Sequence, residues 1–102
     1  MKWIDAGPAA DLGDGQTISI PVGRRMIAVV RSGGAYFAID DICTHDGAEL
    51  AGGEIEGTEI ICPRHGARFC LRTGEALSPP AYEPVRVYAT KIEGDHLWVR
   101  AD

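Results

Sequence analysis

Turns containing glycine separate short runs of β-branched and aromatic residues, and apolar and polar positions alternate clearly in the last runs, residues 85–91 and 96–100. This period of two is typical of β-strands with one buried face. No window shows the three-to-four-residue apolar spacing that a substantial helix requires. Strands are predicted over residues 17–22, 26–31, 35–40, 58–62, 68–71, 86–92 and 96–100. The fold class is therefore predicted to be all-β.

Glycine-rich turns predict how these strands are connected. Ser32-Gly33-Gly34 and Glu93-Gly94-Asp95 place glycine where a tight reversal needs positive φ, so antiparallel hairpins are expected on both sides. The second of these turns would join residues 86–92 and 96–100 into a final hairpin. Pro79 and Pro80 lack a backbone N–H, so their segment is expected to be a rigid loop outside any central strand.

Length and charge narrow the class of protein. The 102 residues fit a single domain spanning residues 1–102, and the net charge of -5 disfavours binding to nucleic acid. The longest apolar run, residues 26–30, is too short to cross a bilayer, and residues 1–5 do not resemble a signal peptide. A cytoplasmic protein without a membrane partner is expected. No dinucleotide fingerprint or phosphate-binding glycine loop indicates a small-molecule substrate, so the chain is not expected to be an enzyme.

Two short segments carry the candidate chemistry. Cys43-Thr44-His45 and Cys62-Pro63-Arg64-His65-Gly66 each supply one thiol and one imidazole from a loop that follows a predicted strand. Brought together, the loops would form a pocket with four ligands. Soft thiolates and imidazoles suit zinc, copper or iron–sulfur centres and do not suit magnesium or calcium. Three cysteines are an odd number, which fits a disulfide framework poorly in a cytoplasmic chain.

The pattern C-x-H, then sixteen residues (46–61), then C-x-x-H closely resembles the cluster-binding signature of Rieske proteins. The chain length, the hairpin between the loops, the Thr73-Gly74-Glu75 turn and Pro79-Pro80 resemble the small Rieske ferredoxins of bacterial ring-hydroxylating oxygenase systems. That resemblance implies an antiparallel β sandwich with a small cluster-binding subdomain of two loops, at about residues 42–80.

The resemblance also implies a cofactor and partners. One [2Fe-2S] cluster per chain would be held by Cys43 and Cys62 on the inner iron and by His45 and His65 on the outer iron. The chain would carry one electron from a flavin-dependent ferredoxin reductase to a terminal mononuclear-iron oxygenase, and catalysis would belong to those partners.

Departures from one branch of the family predict a low reduction potential. High-potential Rieske proteins have an extra cysteine in each loop, joined as a disulfide, where this chain has Ala48 and Arg64. They also have hydroxyl donors to sulfur after the second motif, where Gly66-Ala67-Arg68-Phe69 offers none. Fewer donors stabilise the reduced cluster less, which predicts the low end of a family range of roughly -150 to +300 mV.

Two alternative functions fit the same residues. The chain could be the small Rieske subunit of an assimilatory nitrite reductase, in which case it would copurify with a larger enzyme. Alternatively, Cys43, His45, Cys62 and His65 could hold zinc in a β-module that acts only in protein interaction. Such a module would be colourless and redox-silent.

Other chemically distinctive residues are expected to be structural. Cys70 is interpreted as a free buried thiol with no catalytic role, and His96 as a surface or half-buried histidine outside the site. The aromatic residues are expected in the core and on sheet faces: Trp3, Tyr36, Phe37, Tyr82, Tyr88 and Trp98. We hypothesise that the charged residues flanking the ligands form a docking rim, which would affect the rate of association with partner proteins and the choice of partner. These residues are Asp46, Glu49, Arg64 and Arg68.

Overall fold

The computed structural model describes residues 2–44 and 47–100. Ten strands and one short 3-10 helix account for the regular structure of these residues, and no α-helix occurs among them. The elements are β1 (Trp3–Pro8), the 3-10 helix (Ala9–Asp11), β2 (Thr17–Val22), β3 (Arg25–Ser32), β4 (Ala35–Asp40), β5 (Glu54–Glu56), β6 (Glu59–Ile61), β7 (Arg68–Cys70), β8 (Val87–Tyr88), β9 (Thr90–Glu93) and β10 (His96–Arg100). The all-β prediction is confirmed.

The strands form three antiparallel sheets, ordered β1-β10-β9, β2-β3-β4-β8 and β5-β6-β7. Strand β3 lies inside the middle sheet, and its four residues Ile27–Val30 are all 0% exposed. Ile27 and Val29 contribute to one core, whereas Ala28 and Val30 contribute to the other. The longest apolar run of the sequence is therefore a strand buried on both faces, since successive side chains point to opposite sides of a sheet.

The two cores lie on opposite faces of the middle sheet. One core joins it to the β1-β10-β9 sheet, and its buried members are Leu12, Ile27, Val29, Ala38, Tyr88, Leu97 and Val99. The other core joins it to β6, β7 and the loops around them, and its buried members are Ala28, Val30, Ile39, Cys43, Leu50, Ile60, Cys62, Ala67, Phe69, Leu71, Ala81 and Val85. Two of the three cysteines belong to this second core.

Strands β2, β4 and β10 have the predicted boundaries, and β3, β6 and β7 differ from prediction by one residue at an end or at both ends. The prediction of one strand over residues 86–92 is wrong. The chain leaves the middle sheet after β8, which pairs with β4, and enters the outer sheet as β9, which pairs with β10. Ala89 marks the crossing, where its carbonyl accepts a hydrogen bond from the Arg100 N–H at 2.9 Å. Strands β1 and β5 were not predicted.

No helix in residues 2–44 or 47–100 has the length and apolar character needed to span a bilayer.

Candidate metal centre

The first predicted ligand loop, residues 43–48, is closed by two backbone hydrogen bonds. The Cys43 N–H donates to the Ala48 carbonyl at 2.6 Å, and the Gly47 N–H donates to the Cys43 carbonyl at 2.7 Å. Gly47 has φ of 80°, a conformation that side chains with a Cβ rarely adopt. The glycine therefore permits the reversal that brings the chain back to its cysteine.

The second loop, residues 62–67, repeats this geometry. The Cys62 N–H donates to the Ala67 carbonyl at 2.7 Å, and the Gly66 N–H donates to the Cys62 carbonyl at 3.0 Å. Gly66 has φ of 76°. Both loops therefore follow the pattern Cys-x-x-x-Gly-Ala. Cysteine and histidine spacing alone does not bring out this shared pattern, which relates the two loops directly.

The structure places the predicted ligands unequally with respect to solvent. Cys43 and Cys62 are each 1% exposed and lie in the same buried core, whereas His65 is exposed. No disulfide joins any of the three cysteines, all of which are described. His45 lies outside the described residues. Within residues 2–44 and 47–100, no three His, Cys, Asp or Glu side chains converge as a metal-binding group.

The donor types and their burial fit an iron–sulfur cluster of mixed ligation. For such a cluster, the two buried thiols from equivalent positions of matched loops would provide an inner, soft side, and the exposed His65 imidazole would provide an outer side. The two cysteines offer soft sulfur ligands, which do not suit a metal that needs hard oxygen ligands. The separation of thiols from imidazole matches an asymmetric centre with one buried and one solvent-facing end.

Asp41 fixes the entry to the first loop, and sequence analysis missed it. This carboxylate is 7% exposed, and its Oδ1 accepts the N–H groups of Leu50 and Ala51, each at 2.7 Å. Its Oδ2 accepts the Ser19 hydroxyl. Asp41 follows β4 and lies two residues before Cys43. Its hydrogen bonds therefore tie the chain that enters the first loop to the chain that leaves it. The available signal was an acidic residue between a strand and a buried cysteine.

The proline segment closes against both loops. The Thr44 hydroxyl donates to the Glu83 carbonyl at 2.7 Å, which connects the first loop to the chain after Pro80. The Arg68 N–H donates to the Ser78 hydroxyl oxygen at 3.0 Å, which connects the end of the second loop to the chain before Pro79. Pro79 and Pro80 lie outside all strands, as predicted.

The charged residues near the loops are not equivalent. Glu49 and Arg64 are exposed, and Asp46 lies outside the described residues. The Arg68 guanidinium contacts Glu56 at 3.0 Å and Glu59 at 3.2 Å. The hydrogen bonds that Arg68 donates to these carboxylates raise its pKa. Arg68, the first residue of β7, is therefore paired with two glutamates of the β5-β6 hairpin, so its charge is largely compensated there rather than offered to a docking partner.

Of three other residues, one has the exposure that the sequence predicts and two do not. His96 is half-buried, as expected, and its Nδ1 lies 2.9 Å from the Asp5 carboxylate, a contact that lowers the pKa of Asp5. The expectation that Cys70 is buried is wrong, since it is only half-buried at the end of β7. Tyr82 is 82% exposed, so its placement in the core or on a sheet face is also wrong. It lies in the loop after Pro80, which has no strand partner.

Comparison with known proteins relates this chain to a protein family. A profile described as the Rieske [2Fe-2S] domain matches residues 2–89. The ferredoxin component of the naphthalene 1,2-dioxygenase system of Pseudomonas aeruginosa is 36% identical over 98 residues, which cover 96% of this chain and 94% of the relative.

Two solved structures agree with the sequence relatives. The ferredoxin of carbazole 1,9a-dioxygenase from Nocardioides aromaticivorans IC177 has a TM-score of 0.94 and 30% identity, with all of both chains covered. A ferredoxin in a complex of reduced oxygenase and oxidized ferredoxin in carbazole 1,9a-dioxygenase has a TM-score of 0.90 and 33% identity, covering 95% of this chain and 91% of that chain.

The family match spans most of the chain, and the relatives share its full length and its fold. These relatives are named as ferredoxins, which are electron-transfer components and not the catalytic subunits of their systems. This chain thus belongs to the Rieske [2Fe-2S] domain family, as an electron carrier with one cluster per chain.

Proposed function

We propose that the chain is the ferredoxin of a ring-hydroxylating oxygenase system, taking one electron from a flavin-dependent reductase and passing it to a terminal non-haem iron oxygenase. The observation that carries this proposal is the pair of matched loops with thiols inside and an imidazole outside. The relatives that share the loops' fold are ferredoxins of dioxygenase systems.

We propose the ligands residue by residue. Cys43 and Cys62 hold the inner iron, because both are 1% exposed and belong to one core. His45 and His65 hold the outer iron, and the exposure of His65 supports its position on the solvent side. These four residues lie in a cluster-binding subdomain at about residues 42–80 of a single domain spanning residues 1–102.

The bound cluster supplies a centre that gains and loses one electron reversibly. The protein's own residues determine where that electron enters and leaves. Buried Cys43 and Cys62 anchor the inner side within an apolar core, which excludes water from it. Exposed His65 provides a short path to the surface. Asp41 ties the chain before the first loop to Leu50 and Ala51 after it, so little reorganisation of these segments is expected to accompany electron transfer.

The reduction potential is proposed to lie at the low end of the Rieske range, which suits a carrier between a flavoprotein and an oxygenase. Ala67 and Phe69 follow the second motif, are fully buried and carry no hydroxyl. A hydroxyl donor at Phe69, introduced as Phe69→Tyr, is expected to raise the midpoint potential by stabilising the reduced cluster. An unchanged midpoint would remove missing hydroxyls as the cause of a low potential.

Membership of the Rieske family contradicts the alternative of a zinc-stabilised interaction module. The nitrite reductase alternative is disfavoured because the relatives with at least 30% identity described above are dioxygenase ferredoxins. We further propose a cytoplasmic location, with protein partners and without a nucleic-acid, membrane or small-molecule partner.

A ligand-exchange experiment tests the site. His45→Cys and His65→Cys are each expected to lower the midpoint potential or abolish cluster assembly, because a thiolate donates more negative charge than an imidazole. His96→Cys is the matched control, since His96 is the third histidine and pairs with Asp5. A midpoint in His65→Cys equal to that of the control would remove His65 from the ligand set.

A reconstitution experiment tests the function. The reductase and oxygenase of a naphthalene dioxygenase system, mixed without their ferredoxin, should form product once the cluster-loaded chain is added. Loss of product formation with His65→Cys would support electron flow through the cluster. If the reductase reduces the chain but product formation stays at the level without ferredoxin, the proposed link to an oxygenase is wrong.

A further inference from the structure

Four of the ten cationic side chains line one surface groove of about 550 Å³. They are Lys2, Arg24, Arg25 and Arg86, and no acidic residue is among the described residues that line the groove. All four are exposed. Such a concentration is unexpected on a chain of net charge -5. We call this surface the basic groove.

Tyr88 organises the guanidinium groups of the basic groove. Arg25 donates to the Tyr88 hydroxyl at 3.0 Å, and the Cζ of Arg86 lies 5.1 Å from the Tyr88 ring centroid. The Tyr88 hydroxyl in turn donates to Asp40. Burial and this hydrogen bond raise the pKa of Tyr88, so the hydroxyl keeps its proton. Two arginines are thus positioned before any ligand arrives, which lowers the entropy lost on binding.

The basic groove adjoins the first cluster loop. Arg24 and Arg25 also line a second cleft of about 320 Å³, whose other lining residues are Met26, Asp40, Asp41, Ile42 and Gly47. Gly47 closes the loop that begins at Cys43. A partner seated on the basic groove would therefore contact the protein beside the proposed cluster.

The opposite end of strand β3 is acidic. Arg25 begins β3, and Ser32 ends it seven residues later, a span of roughly 24 Å. The Ser32 hydroxyl donates to the Gly57 carbonyl at the turn of the β5-β6 hairpin. That hairpin carries Glu54, Glu56 and Glu59, of which Glu56 and Glu59 share Arg68. The two ends of the molecule thus differ in charge, and a charged partner would be oriented on approach.

We propose that the basic groove is a docking site for a carboxylate-rich surface segment of an electron-transfer partner protein. This inference rests on the proposed carrier function. Guanidinium forks pair with carboxylates in bidentate geometry, and three arginines line the groove. Nucleic acid is disfavoured, because a long polyanion would also meet the acidic remainder of the chain.

Binding of a fluorescent oligoglutamate peptide to the cluster-loaded protein tests the proposal. Arg24→Glu is expected to weaken binding by at least about fivefold, which corresponds to ~1 kcal/mol. Arg72→Glu is the matched control, since Arg72 is exposed and changes the net charge equally but lies outside the basic groove. The control is expected to stay within about twofold of the unsubstituted chain, and added salt should weaken binding in both.

The docking proposal is overturned if the peptide does not bind, if both variants weaken binding equally, or if single-stranded DNA binds more tightly than the peptide. Paramagnetic resonance spectra of the same reduced samples separate this outcome from failure of the carrier function. A Rieske spectrum with unaltered peptide binding in Arg24→Glu rejects only the docking site. A missing Rieske spectrum in the unsubstituted chain rejects the carrier function.

Discussion

Cys70 differs chemically from the two cysteines in the core. Cys43 and Cys62 are 1% exposed, whereas Cys70 is half-buried beside the Arg72-Thr73 turn. A hydrogen bond from the Thr73 side chain lowers the pKa of the Cys70 thiol, aided by hydrogen bonds from the backbone of Arg72 and Thr73. The thiolate is therefore populated at a lower pH than in an ordinary cysteine.

Iodoacetamide is expected to alkylate the cluster-loaded protein first at Cys70. The rate should rise with pH and reach half its maximum below the ordinary thiol pKa of 9.0, because the thiolate is the nucleophile. Thr73→Val removes the side-chain donor and should move that midpoint upward, which mass spectrometry across a pH series measures. Thr58→Val, also in a turn, is the control. Equal midpoints in both variants would contradict a role for Thr73.

The chemical role of a residue could be predicted from the sequence wherever that role depends on local spacing. The pairing of Cys43 with His45 and of Cys62 with His65 was accessible for that reason, and so was the absence of cysteines at Ala48 and Arg64. Exposure was less accessible, because it depends on which distant segments cover a side chain.

Tyr82 and Cys70 illustrate that limit. Both belong to residue classes that are usually partly or fully buried. Tyr82 nevertheless lies in a loop that no strand covers, and Cys70 lies at the last position of a three-residue strand. Neither circumstance is visible in the residues next to them in sequence.

At the scale of single elements, Asp41 links the end of β4 to the segment after the first loop. Asp41→Ala is expected to lower the free energy of unfolding by about 3 kcal/mol, because it leaves the Leu50 and Ala51 N–H groups without their charged acceptor. Asp41→Asn keeps one carbonyl oxygen and should lose about 1 kcal/mol. Urea denaturation measures both values.

Asp11→Ala provides the comparison for Asp41, since Asp11 is exposed in the short 3-10 helix and should change stability by no more than about 0.5 kcal/mol. If Asp41→Ala were as stable as Asp11→Ala, the carboxylate would not hold the first loop.

The turn after β7 leaves no room for a side chain at Gly74. Its φ is 80°, its N–H donates to the Cys70 carbonyl at 2.7 Å, and a Cβ there would overlap the Val85 carbonyl oxygen. Gly57 also has positive φ, 59°, but a Cβ there would meet nothing within 4 Å. A substitution at either glycine would strain the backbone, but only one at Gly74 would also create a steric clash. Comparing the two sites therefore separates the cost of strain from the cost of the clash.

Gly74→Ala is expected to lose about 1–3 kcal/mol more unfolding free energy than Gly57→Ala, because both substitutions strain φ but only the first forces Val85 to move. Thermal denaturation of the two variants gives the difference. Similar losses in both would show that the turn relaxes without disturbing the returning chain.

Element prediction succeeded where an alternating pattern coincided with one uninterrupted strand. Residues 86–92 alternate throughout, but the chain changes sheets at Ala89, and periodicity does not reveal a change of partner. Strand β1 was missed because its pairing with β10 joins Trp3 to Arg100 across almost the whole sequence. Strand β5 has only three residues, two of them glutamates.

At the scale of the whole molecule, the middle sheet separates two cores with different roles. The core shared with β1, β9 and β10 contains no cysteine, whereas the core beneath the matched loops contains Cys43 and Cys62. The proposed redox centre is therefore attached to a scaffold whose other face is independently packed. Substitutions in the core without cysteine should change stability more than they change the potential.

The sequence contained the family signature but not the arrangement around it. Two cysteines and two histidines at fixed spacing indicated both the fold class and the cofactor, because that combination is chemically restrictive. The basic groove could not be foreseen, since Lys2, Arg24 and Arg86 are distant in sequence and meet only after the sheets assemble. The net charge of -5 gives no indication of a basic groove.

Electron paramagnetic resonance of the dithionite-reduced protein, with iron and acid-labile sulfide counted on the same sample, tests the central claim most directly. The account predicts about two irons and two sulfides per chain and a spectrum of the Rieske type, from one cluster with thiolates on one iron and imidazoles on the other. A colourless, spin-silent protein without labile sulfide after anaerobic reconstitution, or a spectrum of an all-cysteine cluster, would contradict it.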